Sequence, residues 1–592
     1  MPHHIPTRAP VTRTAAEALQ DWLPQDTDPG AVRHLAAEMG IEPLLATLLV
    51  NRGILSKEQA EGFLKPSVDD LLDPFELADM DVAAERMARA IVDHERILIY
   101  GDADVDGLTS TGLLVQFLRM LSLEPLVYVP NRAYEGYSFT PAGTDHVLAS
   151  GANLVVSVDN GISSIDPVAR IQQAGIDVII TDHHMPADSL PPAHAVVNPR
   201  RVDCGYPFKG LAGVGVAFKL ACAVSSKLHR RIQLSDSMSQ FLGESLAWVS
   251  MGTVSDLMPL RGENRVLVSR GLRALPRTKS PGLAALCHVS GMGIGADCRA
   301  EDIAFRLAPR LNAATRMGRS DLSVSLITAS DPNEAAVLAQ ALDEANKQRQ
   351  TAERELLEEL RPILDRQAHD EPIFLASETW NTGLLGLVAG RITREYGVPA
   401  LLISSSQGEP AKGSCRCMPG FDAHAALGAC REHLTTYGGH PAAAGFSIES
   451  KHIDGFREAF AAEWQQQKSI ESGPASQRYE AEIPLAGLTH KLISALDGLE
   501  PFGKGNQRPV FVTGSATVDE ARRRGGDGQH LALTVSQGSK HMRAVAFSKG
   551  HWADRLPAGH SVDLLHAPKF NHFRGRTTVE LELIDVRPAR PL

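Results

Sequence analysis

The sequence lacks the features that mark membrane-spanning or secreted proteins. No stretch of its 592 residues approaches the ~18–20 consecutive apolar residues that a membrane-spanning helix requires. The run from Met1 to Arg8 has no apolar segment of the kind found in secretory signals. The seven cysteines are scattered and odd in number, which disfavours a disulfide framework and predicts a reducing cytoplasm. The close pair Cys415 and Cys417 is only a weak zinc signal.

Basic residues are outnumbered by acidic residues, 59 to 70, and they are unevenly distributed along the chain. The net charge of −11 by itself disfavours a nucleic-acid-binding protein. From residue 501 onward, however, 14 Lys and Arg residues accompany only 8 Asp and Glu residues, so a basic tail follows an acidic body. Clustered carboxylates repel one another until a cation binds, so bound metal is expected to neutralise part of that acidity.

Acidic residues stand at the ends of three short apolar runs. Asp102 follows the run 97–100, Asp159 closes 154–158, and Asp182 closes 178–181. Short β-branched runs separated by helix-length segments are typical of buried parallel strands. Ligands of such sheets bind beyond the carboxyl ends of the strands, so we expect these acids to converge on one crevice.

The residues around these acids are suited to divalent cations. Asp104 and Asp106 can offer oxygens to one or two ions if the chain turns at Gly107, and His183 can add a nitrogen ligand. Two ions ~4 Å apart support phosphoester hydrolysis, although nothing in these residues fixes the substrate. Two plainer interpretations stay open, namely an acidic turn or helix N-cap at 102–107 and ordinary loop histidines at 183–184.

The length predicts three or more domains. We expect an α/β protein in which a doubly wound parallel sheet is joined by a long helix to a smaller α/β domain, with a barrel at the C-terminus. Asp331, Pro332 and Glu334 form a helix start, and the helix is expected to reach about Arg361. A polar linker is predicted from Gln465 to Ser476. Five short strands beyond it favour an OB-fold. The predicted boundaries are 1–75 for an N-terminal helical extension, 76–330 for the first α/β domain, 331–366 for the connecting helix, 367–465 for the second domain and 466–592 for the barrel.

Ordered motifs along the chain resemble the DHH–DHHA1 phosphoesterase superfamily, and within it the single-stranded-DNA-specific 5′-3′ exonucleases. The resemblance covers most of the chain and names the two α/β domains DHH and DHHA1. The motifs are 101–107, 159–161, 182–184, 211–215, 252–256, 307–312, 419–422, 438–440 and 501–506.

The resemblance implies a role for each matching residue. Two Mn²⁺ or Mg²⁺ ions would be held by Asp104, Asp106, Asp159, His183 and Asp256. Asp102 is the first acid of its motif, and His184 would face the scissile phosphate or support the metal ligands; both join the five as catalytic residues. The residues implied in gripping the strand or its 5′ phosphate are Arg132, Tyr137, Arg310, Arg349, Ser414, Arg416 and His440.

The implied activity is degradation of single-stranded DNA from its 5′ end to 5′-mononucleotides in recombination and repair. A single-strand-binding protein and a helicase are expected partners of a monomeric cytoplasmic enzyme that does not bind membranes. The alternatives are a phosphodiesterase for short oligonucleotides or cyclic dinucleotides, and an inactive DNA-binding scaffold. Thr315, Cys415 and Cys417 depart from the family pattern, which affects only the geometry expected of the end-binding pocket.

Overall fold

The computed structural model describes residues 21–132, 135–229, 236–366, 370–470, 477–526, 528–573 and 576–589. The predictions for Met1–Arg8 and for residues 471–476 of the linker lie outside these ranges. Within them, no helix is both long and apolar enough to cross a bilayer. The α-helices are Pro29–Met39, Pro43–Val50, Lys57–Leu64, Met80–Val92, Val105–Met120, Pro141–Ala149, Ile165–Gln173, Gly213–His229, Asp236–Ser255, Gly262–Ala274, Pro281–Val289, Ala300–Asp302, Ala308–Arg316, Ser320–Thr328, Pro332–Leu364, Thr382–Tyr396, Ala423–Ala429, Ile453–Ile470 and His490–Asp497.

The first sheet is parallel, as predicted, and it has five strands. Successive strand residues serve two cores: Ile99 and Val156 pack on one face, Leu98 and Val155 on the other, and helices cover both. The sheet is therefore doubly wound. In spatial order its strands are Leu126–Tyr128, Ile97–Tyr100, Leu154–Val158, Asp177–Thr181 and Ala195–Val197. The strand order reverses between the second and third of these, and a crevice opens at such a point.

The connecting helix, Pro332–Leu364, joins the first domain to the second. The Asp331 side chain accepts a hydrogen bond from the Glu334 backbone N–H at 2.8 Å, so the predicted cap is confirmed. The 33 residues span about 50 Å. Residues near its start, such as Leu342, belong to the first core, and residues near its end, such as Leu360, belong to the second. The helix therefore bridges two domains.

The second domain holds a mixed five-stranded sheet. Its strands lie in the order Thr436–His440, Ala443–Ile448, Ala411–Arg416, Ala400–Ser404 and Ile373–Ser377. The helix Ile453–Ile470 follows, so the predicted linker was wrong for Gln465–Ile470, where glutamines and a lysine continue the helix.

A closed barrel of five strands forms the C-terminal domain. The first strand pairs with both the second and the fourth, which closes the sheet in the OB-fold order. The strands are Phe511–Arg524, His530–Gln537, Lys540–Ala546, Ser561–Phe573 and Arg576–Pro588. The prediction of short strands was wrong because it followed the apolar runs. Backbone pairing continues through charged outward residues, as where Arg522 pairs with Ala532.

The N-terminal helices pack against the C-terminal module rather than standing apart. Trp22–Pro24 forms a parallel pair with Gln477–Tyr479. Leu35 and Leu48 share one buried cluster with Leu496 and Phe511. Nothing in the sequence pattern indicated this contact, and the predicted boundary at residue 75 stays a prediction.

The barrel interior predicts a pH-dependent stability. His566 is fully buried beside the Thr513 hydroxyl, and burial lowers its pKa to about 3. Its imidazole becomes charged near pH 6.5 once the chain unfolds, so this stability is full above pH 6.5 and is lost as the pH falls toward 3. We expect the unfolding free energy to drop between pH 7 and pH 5 by about 2 kcal/mol more in the parent protein than in His566→Gln. Urea titrations at both pH values measure this. The exposed-site variant His560→Gln should keep the parent's pH dependence, and an equal drop in His566→Gln would contradict the assignment.

Candidate metal centre

The acidic loop after the strand Ile97–Tyr100 leads directly into the helix Val105–Met120. Asp104 caps that helix: its Oδ1 accepts hydrogen bonds from the backbone N–H groups of Asp106 at 3.0 Å and Gly107 at 3.1 Å. The N-cap interpretation is therefore right for one oxygen. The other, Oδ2, accepts a hydrogen bond from the Arg132 guanidinium at 3.0 Å, and Asp104 has a carboxylate oxygen within 4.8 Å of ligand atoms of Asp102 and Asp159.

Asp106 is held from the opposite side of the crevice. Its two oxygens accept backbone hydrogen bonds from Gly213 at 2.7 Å and Val214 at 2.9 Å, where the helix Gly213–His229 begins. Gly213 also leaves room for Asp159, since a Cβ there would lie 2.5 Å from the Asp159 Oδ1. Carboxylate oxygens retain a second lone pair, so both Asp106 oxygens stay able to bind a cation.

Asp159 sits in a strained position at the end of the strand Leu154–Val158. Its backbone φ is +62°, a conformation that non-glycine residues rarely adopt and that clusters at functional sites. Its side chain is 1% exposed, and its Oδ1 has no hydrogen-bond partner. A buried carboxylate oxygen without a donor is costly unless a cation satisfies it.

The two histidines have different roles in the crevice. The His183 Nε2 lies 3.1 Å from Asp159, 3.6 Å from Asp256 and 3.7 Å from Asp106, and burial lowers the pKa of this imidazole to about 4. Neither of its ring nitrogens makes a hydrogen bond. A neutral imidazole is the form that binds metal.

His184 is oriented by Asp182. Its Nδ1 lies 2.7 Å from the Asp182 Oδ1, which also accepts the backbone N–H groups of both histidines. Burial opposes charging, but the Asp182 hydrogen bond prevails and raises the pKa of His184 to about 9. The hydrogen bond to Asp182 thus favours the charged form of His184, whereas burial favours the neutral form of the neighbouring His183. The ordinary-loop interpretation of His184 does not fit this geometry.

Asp256 completes the site from the end of the helix Asp236–Ser255. Three sets of side chains each bring three ligand atoms within 4.8 Å of one another, and Asp159 and His183 belong to two sets each. The sets are Asp159 with His183 and His184, Asp106 with His183 and Asp256, and Asp102 with Asp104 and Asp159.

The electrostatics of this cluster call for cations. Burial, followed by repulsion from neighbouring carboxylates, raises the pKa of Asp106 and Asp159 well above the usual range. The same causes raise the pKa of Asp256 to about 6. Together with the unbonded Asp159 and His183 atoms, this mixture of oxygens and imidazole nitrogen fits two divalent ions of the Mn²⁺ or Mg²⁺ type.

Asp102 differs from the other acids because Arg132 engages it. The guanidinium donates to both Asp102 oxygens, one of them through Nε at 3.0 Å. Burial raises the pKa of Asp102 to about 6 even though Arg132 opposes the shift. Arg132 thus lies at the acidic loop itself, with Asp102 and Asp104 as its partners.

The comparisons with known proteins agree with this geometry. Three family models match: DHH family, N-terminal domain, at residues 96–244, DHHA1 domain at 370–466, and RecJ OB domain at 479–585. The single-stranded-DNA-specific exonuclease RecJ of Bacillus subtilis is 34% identical over 95% of this chain and 70% of its own length. The Escherichia coli protein of that name is 33% identical over 93% of this chain and 96% of its own length. The chain belongs to the RecJ family.

A solved RecJ structure matches the fold. The RecJ of Thermus thermophilus in complex with Mn²⁺ has a TM-score of 0.79 at 29% identity, and the match covers 97% of this chain and 80% of that one. Its Mg²⁺ complex gives a TM-score of 0.75 at 28% identity, covering 96% and 79%. The predicted assembly of DHH, DHHA1 and OB domains is confirmed.

Several residues predicted to bind the strand lie at the crevice. The Tyr137 hydroxyl is 3.4 Å from His184, and the Arg132 guanidinium carbon is 5.2 Å from the Tyr137 ring. In the second domain, Arg416 donates to the Ser414 hydroxyl at 2.9 Å. His440 is exposed. It lies opposite Ala443 on the neighbouring strand, and Arg416 lies opposite Ala443 on the other side, so His440 and Arg416 are aligned across three strands.

Arg310 and Arg349 are committed to acids of the connecting helix. Arg310 contacts Asp343 at 2.8 Å, and Arg349 contacts Glu353 at 2.7 Å. Both are half-buried. Their role in tracking the strand stays a prediction.

The departures from the family pattern have local explanations. The Thr315 hydroxyl donates to the Ala103 carbonyl at 3.1 Å, a bond that glycine cannot make. The Cys415 and Cys417 sulfurs lie 3.5 Å apart and belong to the buried core of the second domain. Because strand residues alternate, these thiols face away from Ser414 and Arg416.

Sequence reasoning missed the cation Arg316. Arg316 donates to the Gly383 carbonyl at 3.2 Å, so it spans from the acidic-loop side to the second domain. Burial, followed by the charges of Arg416, Arg349 and Arg132, lowers its pKa to about 10. A site in which three guanidinium groups disfavour the charge of a fourth, Arg316, is suited to an anion. No signal in the isolated sequence distinguishes Arg316 from a surface arginine.

Proposed function

We propose that this chain is a metal-dependent exonuclease that degrades single-stranded DNA from the 5′ end to 5′-mononucleotides. The observation that carries the proposal is the convergence of Asp106, Asp159, His183 and Asp256 near several arginines. The arginine row consists of Arg132, Arg316 and Arg416. A phosphate chain needs both parts, because a cleaved phosphodiester must sit at the metals while neighbouring phosphates need cations.

The arrangement of cations supports the polarity. Arg416 and Ser414, with Arg316 beside them, are placed to hold a terminal 5′ phosphate through charge-assisted bonds. Arg132 then continues the row to Asp102 and Asp104 at the metal site. One nucleotide would span from the terminal phosphate to the scissile one, and Tyr137 offers that nucleotide's base a surface for stacking. Hydrolysis of the bond between the 3′ oxygen of the first nucleotide and the next phosphorus releases a 5′-mononucleotide. The phosphate stays on the remaining strand as its new 5′ end.

The residues of the centre divide the chemical work. Asp104, Asp106, Asp159, His183 and Asp256 would hold two Mn²⁺ or Mg²⁺ ions. When bound, such ions lower the pKa of an attacking water and neutralise charge on the phosphoryl group. The Asp182 hydrogen bond favours the charged form of His184, and in that form His184 can donate a hydrogen bond to a phosphate oxygen or a proton to the departing 3′ oxygen.

The barrel offers a surface for the rest of the strand. A groove of about 370 Å³ crosses the outer face of its strands, lined among others by Arg522, Arg524, Arg543 and Thr534. Glu520 pairs with Arg522 there, while the charge of the domain as a whole is positive. Such a face can follow a phosphate backbone without reading sequence.

The two alternatives are less well supported. A dinucleotide phosphodiesterase has no use for a basic barrel beyond the second domain. An inactive scaffold would lack members of the acidic set, and every one is present. As further proposals, the enzyme is a cytoplasmic monomer of recombination and repair whose strands come from a helicase and a single-strand-binding protein.

One assay tests the proposed function. We expect 5′-phosphorylated single strands to yield mononucleotides with Mn²⁺ or Mg²⁺, no product in EDTA, and little from blunt duplexes. Products resolved by length from strands labelled at the 3′ end measure direction, because shortening must then proceed one nucleotide at a time. Internal fragments from the outset, or removal of the 3′ label first, would contradict the proposal.

A further inference from the structure

The turn Gly503–Asn506 of the C-terminal module reaches the wall of the metal centre. Gly503 and Asn506 bond to each other through both backbone groups, at 2.9 Å and 3.1 Å, which leaves Lys504 and Gly505 at the tip. Gly505 has a φ of +76°. The third position of such a turn needs this left-handed conformation, which glycine adopts most easily. The Lys504 carbonyl accepts the backbone N–H of Leu260 at 2.7 Å, four residues beyond Asp256.

The turn is held rigidly. The buried Asn506 side chain donates to the carbonyls of Leu499 and Pro501, both at 2.8 Å, and accepts from the Arg52 Nε at 2.8 Å. The position of the Lys504 backbone is therefore fixed by elements of three separate parts of the chain. Lys504 itself is exposed.

Three cations lie on this wall. Lys504 and Arg200 are both close enough to Asp256 to lower its pKa, against the stronger effect of burial. The Arg261 side chain lies next to the turn, since a Cβ at Gly505 would be 3.8 Å from the Arg261 Cδ. In the described part of the chain, no carboxylate forms an ion pair with any of these three cations.

We propose that Lys504 binds the first phosphate on the 3′ side of the scissile bond. This inference rests on the proposed function, because it takes the strand to run from Arg416 past the metals toward the barrel. Lys504 belongs to the module that carries the barrel and meets the segment that follows Asp256, so its ammonium faces the portion of strand that has not yet been cut. The Lys504 ammonium thereby holds the shortened strand after each mononucleotide leaves, until the new 5′ phosphate reaches Arg416 and Arg316.

The length of the substrate tests this position. A 5′-phosphorylated dinucleotide has no phosphate beyond the scissile one, whereas a 20-mer has. For Lys504→Ala we expect the ratio of kcat/KM on the 20-mer to kcat/KM on the dinucleotide to fall about tenfold, as for one lost phosphate contact. Lys504→Arg should restore most of the ratio, and Lys57→Ala, which removes a remote exposed lysine, should not alter it. An equal loss on both substrates would place Lys504 at the scissile phosphate and overturn the inference, as would no loss on either.

Binding without cleavage separates this inference from the proposed function. In an Asp159→Asn background, the affinity for the 20-mer is measured by fluorescence anisotropy over a range of salt concentrations. The affinity falls as salt rises, and Lys504→Ala should make this dependence shallower, reducing the magnitude of the slope of log affinity against log salt by about 1. An unchanged slope overturns the Lys504 contact even if the parent enzyme degrades DNA. A parent protein that cleaves no DNA refutes the exonuclease, while the slope still decides whether Lys504 binds a phosphate.

Discussion

Replacing Asp159 with asparagine is expected to reduce the rate of exonuclease turnover by at least about 10³-fold, since even partners of metal ligands contribute about 10–100-fold. Asp159 belongs to two of the three ligand sets, so its loss affects both ion positions. Binding of single-stranded DNA should persist, because the arginine row and the barrel are untouched. Steady-state rates with Mn²⁺ and anisotropy with a labelled 20-mer measure the two effects separately.

The same variant should gain stability when metal is absent. Asparagine has no charge to bury, so the variant avoids both the burial of a charge and the repulsion from neighbouring carboxylates that raise the pKa of Asp159. We expect Asp159→Asn to melt at a higher temperature than the parent protein in EDTA and to gain less from added Mn²⁺. Asp166→Asn, at an exposed helical site, serves as the matched control and should behave as the parent. Parent-like turnover by Asp159→Asn would exclude Asp159 as a ligand.

Replacing Arg416 with alanine is expected to lower kcat/KM on 5′-phosphorylated strands about 10²-fold, the loss expected for a charge-assisted contact of about 3 kcal/mol. Strands with a 5′ hydroxyl lack the group that Arg416 would bind, so their kcat/KM should fall far less. The preference for phosphorylated ends should therefore collapse. Competition between the two kinds of end in one reaction measures the preference directly.

Two further variants make the Arg416 result specific. Arg416→Lys keeps the charge but loses the planar fork, so it should recover only part of the preference. Arg394→Ala removes an exposed arginine from the helix Thr382–Tyr396 and should leave the preference intact. Equal losses of kcat/KM on strands with a 5′ phosphate and strands with a 5′ hydroxyl in Arg416→Ala would show that Arg416 stabilises the second domain and does not bind the 5′ phosphate.

Local patterns were sufficient for the sheet and for the position of its acids. The β-branched runs at 97–100, 154–158 and 178–181 are strands, and the acids that follow them meet because parallel strands share one carboxyl edge. The cap at Asp331 placed the start of the connecting helix correctly. The barrel strands were underestimated in length, since outward-facing charges hide the backbone pairing that continues beneath them.

The sequence by itself determined the kind of site: which acids and histidines gather, that they suit divalent cations, and that a basic module follows. Periodicity and residue type, which act over a few neighbouring residues, indicated the acids at the strand ends and their suitability for cations, while the full ligand set with Asp256 was implied by the family resemblance. The tertiary structure alone decided that the Asp182 hydrogen bond raises the pKa of His184 while burial lowers that of His183. It also decided that Arg316 lies among other arginines and that the turn bearing Lys504 meets Leu260, four residues beyond Asp256. Those outcomes depend on desolvation and on charges brought together from distant parts of the chain, and no local pattern encodes either.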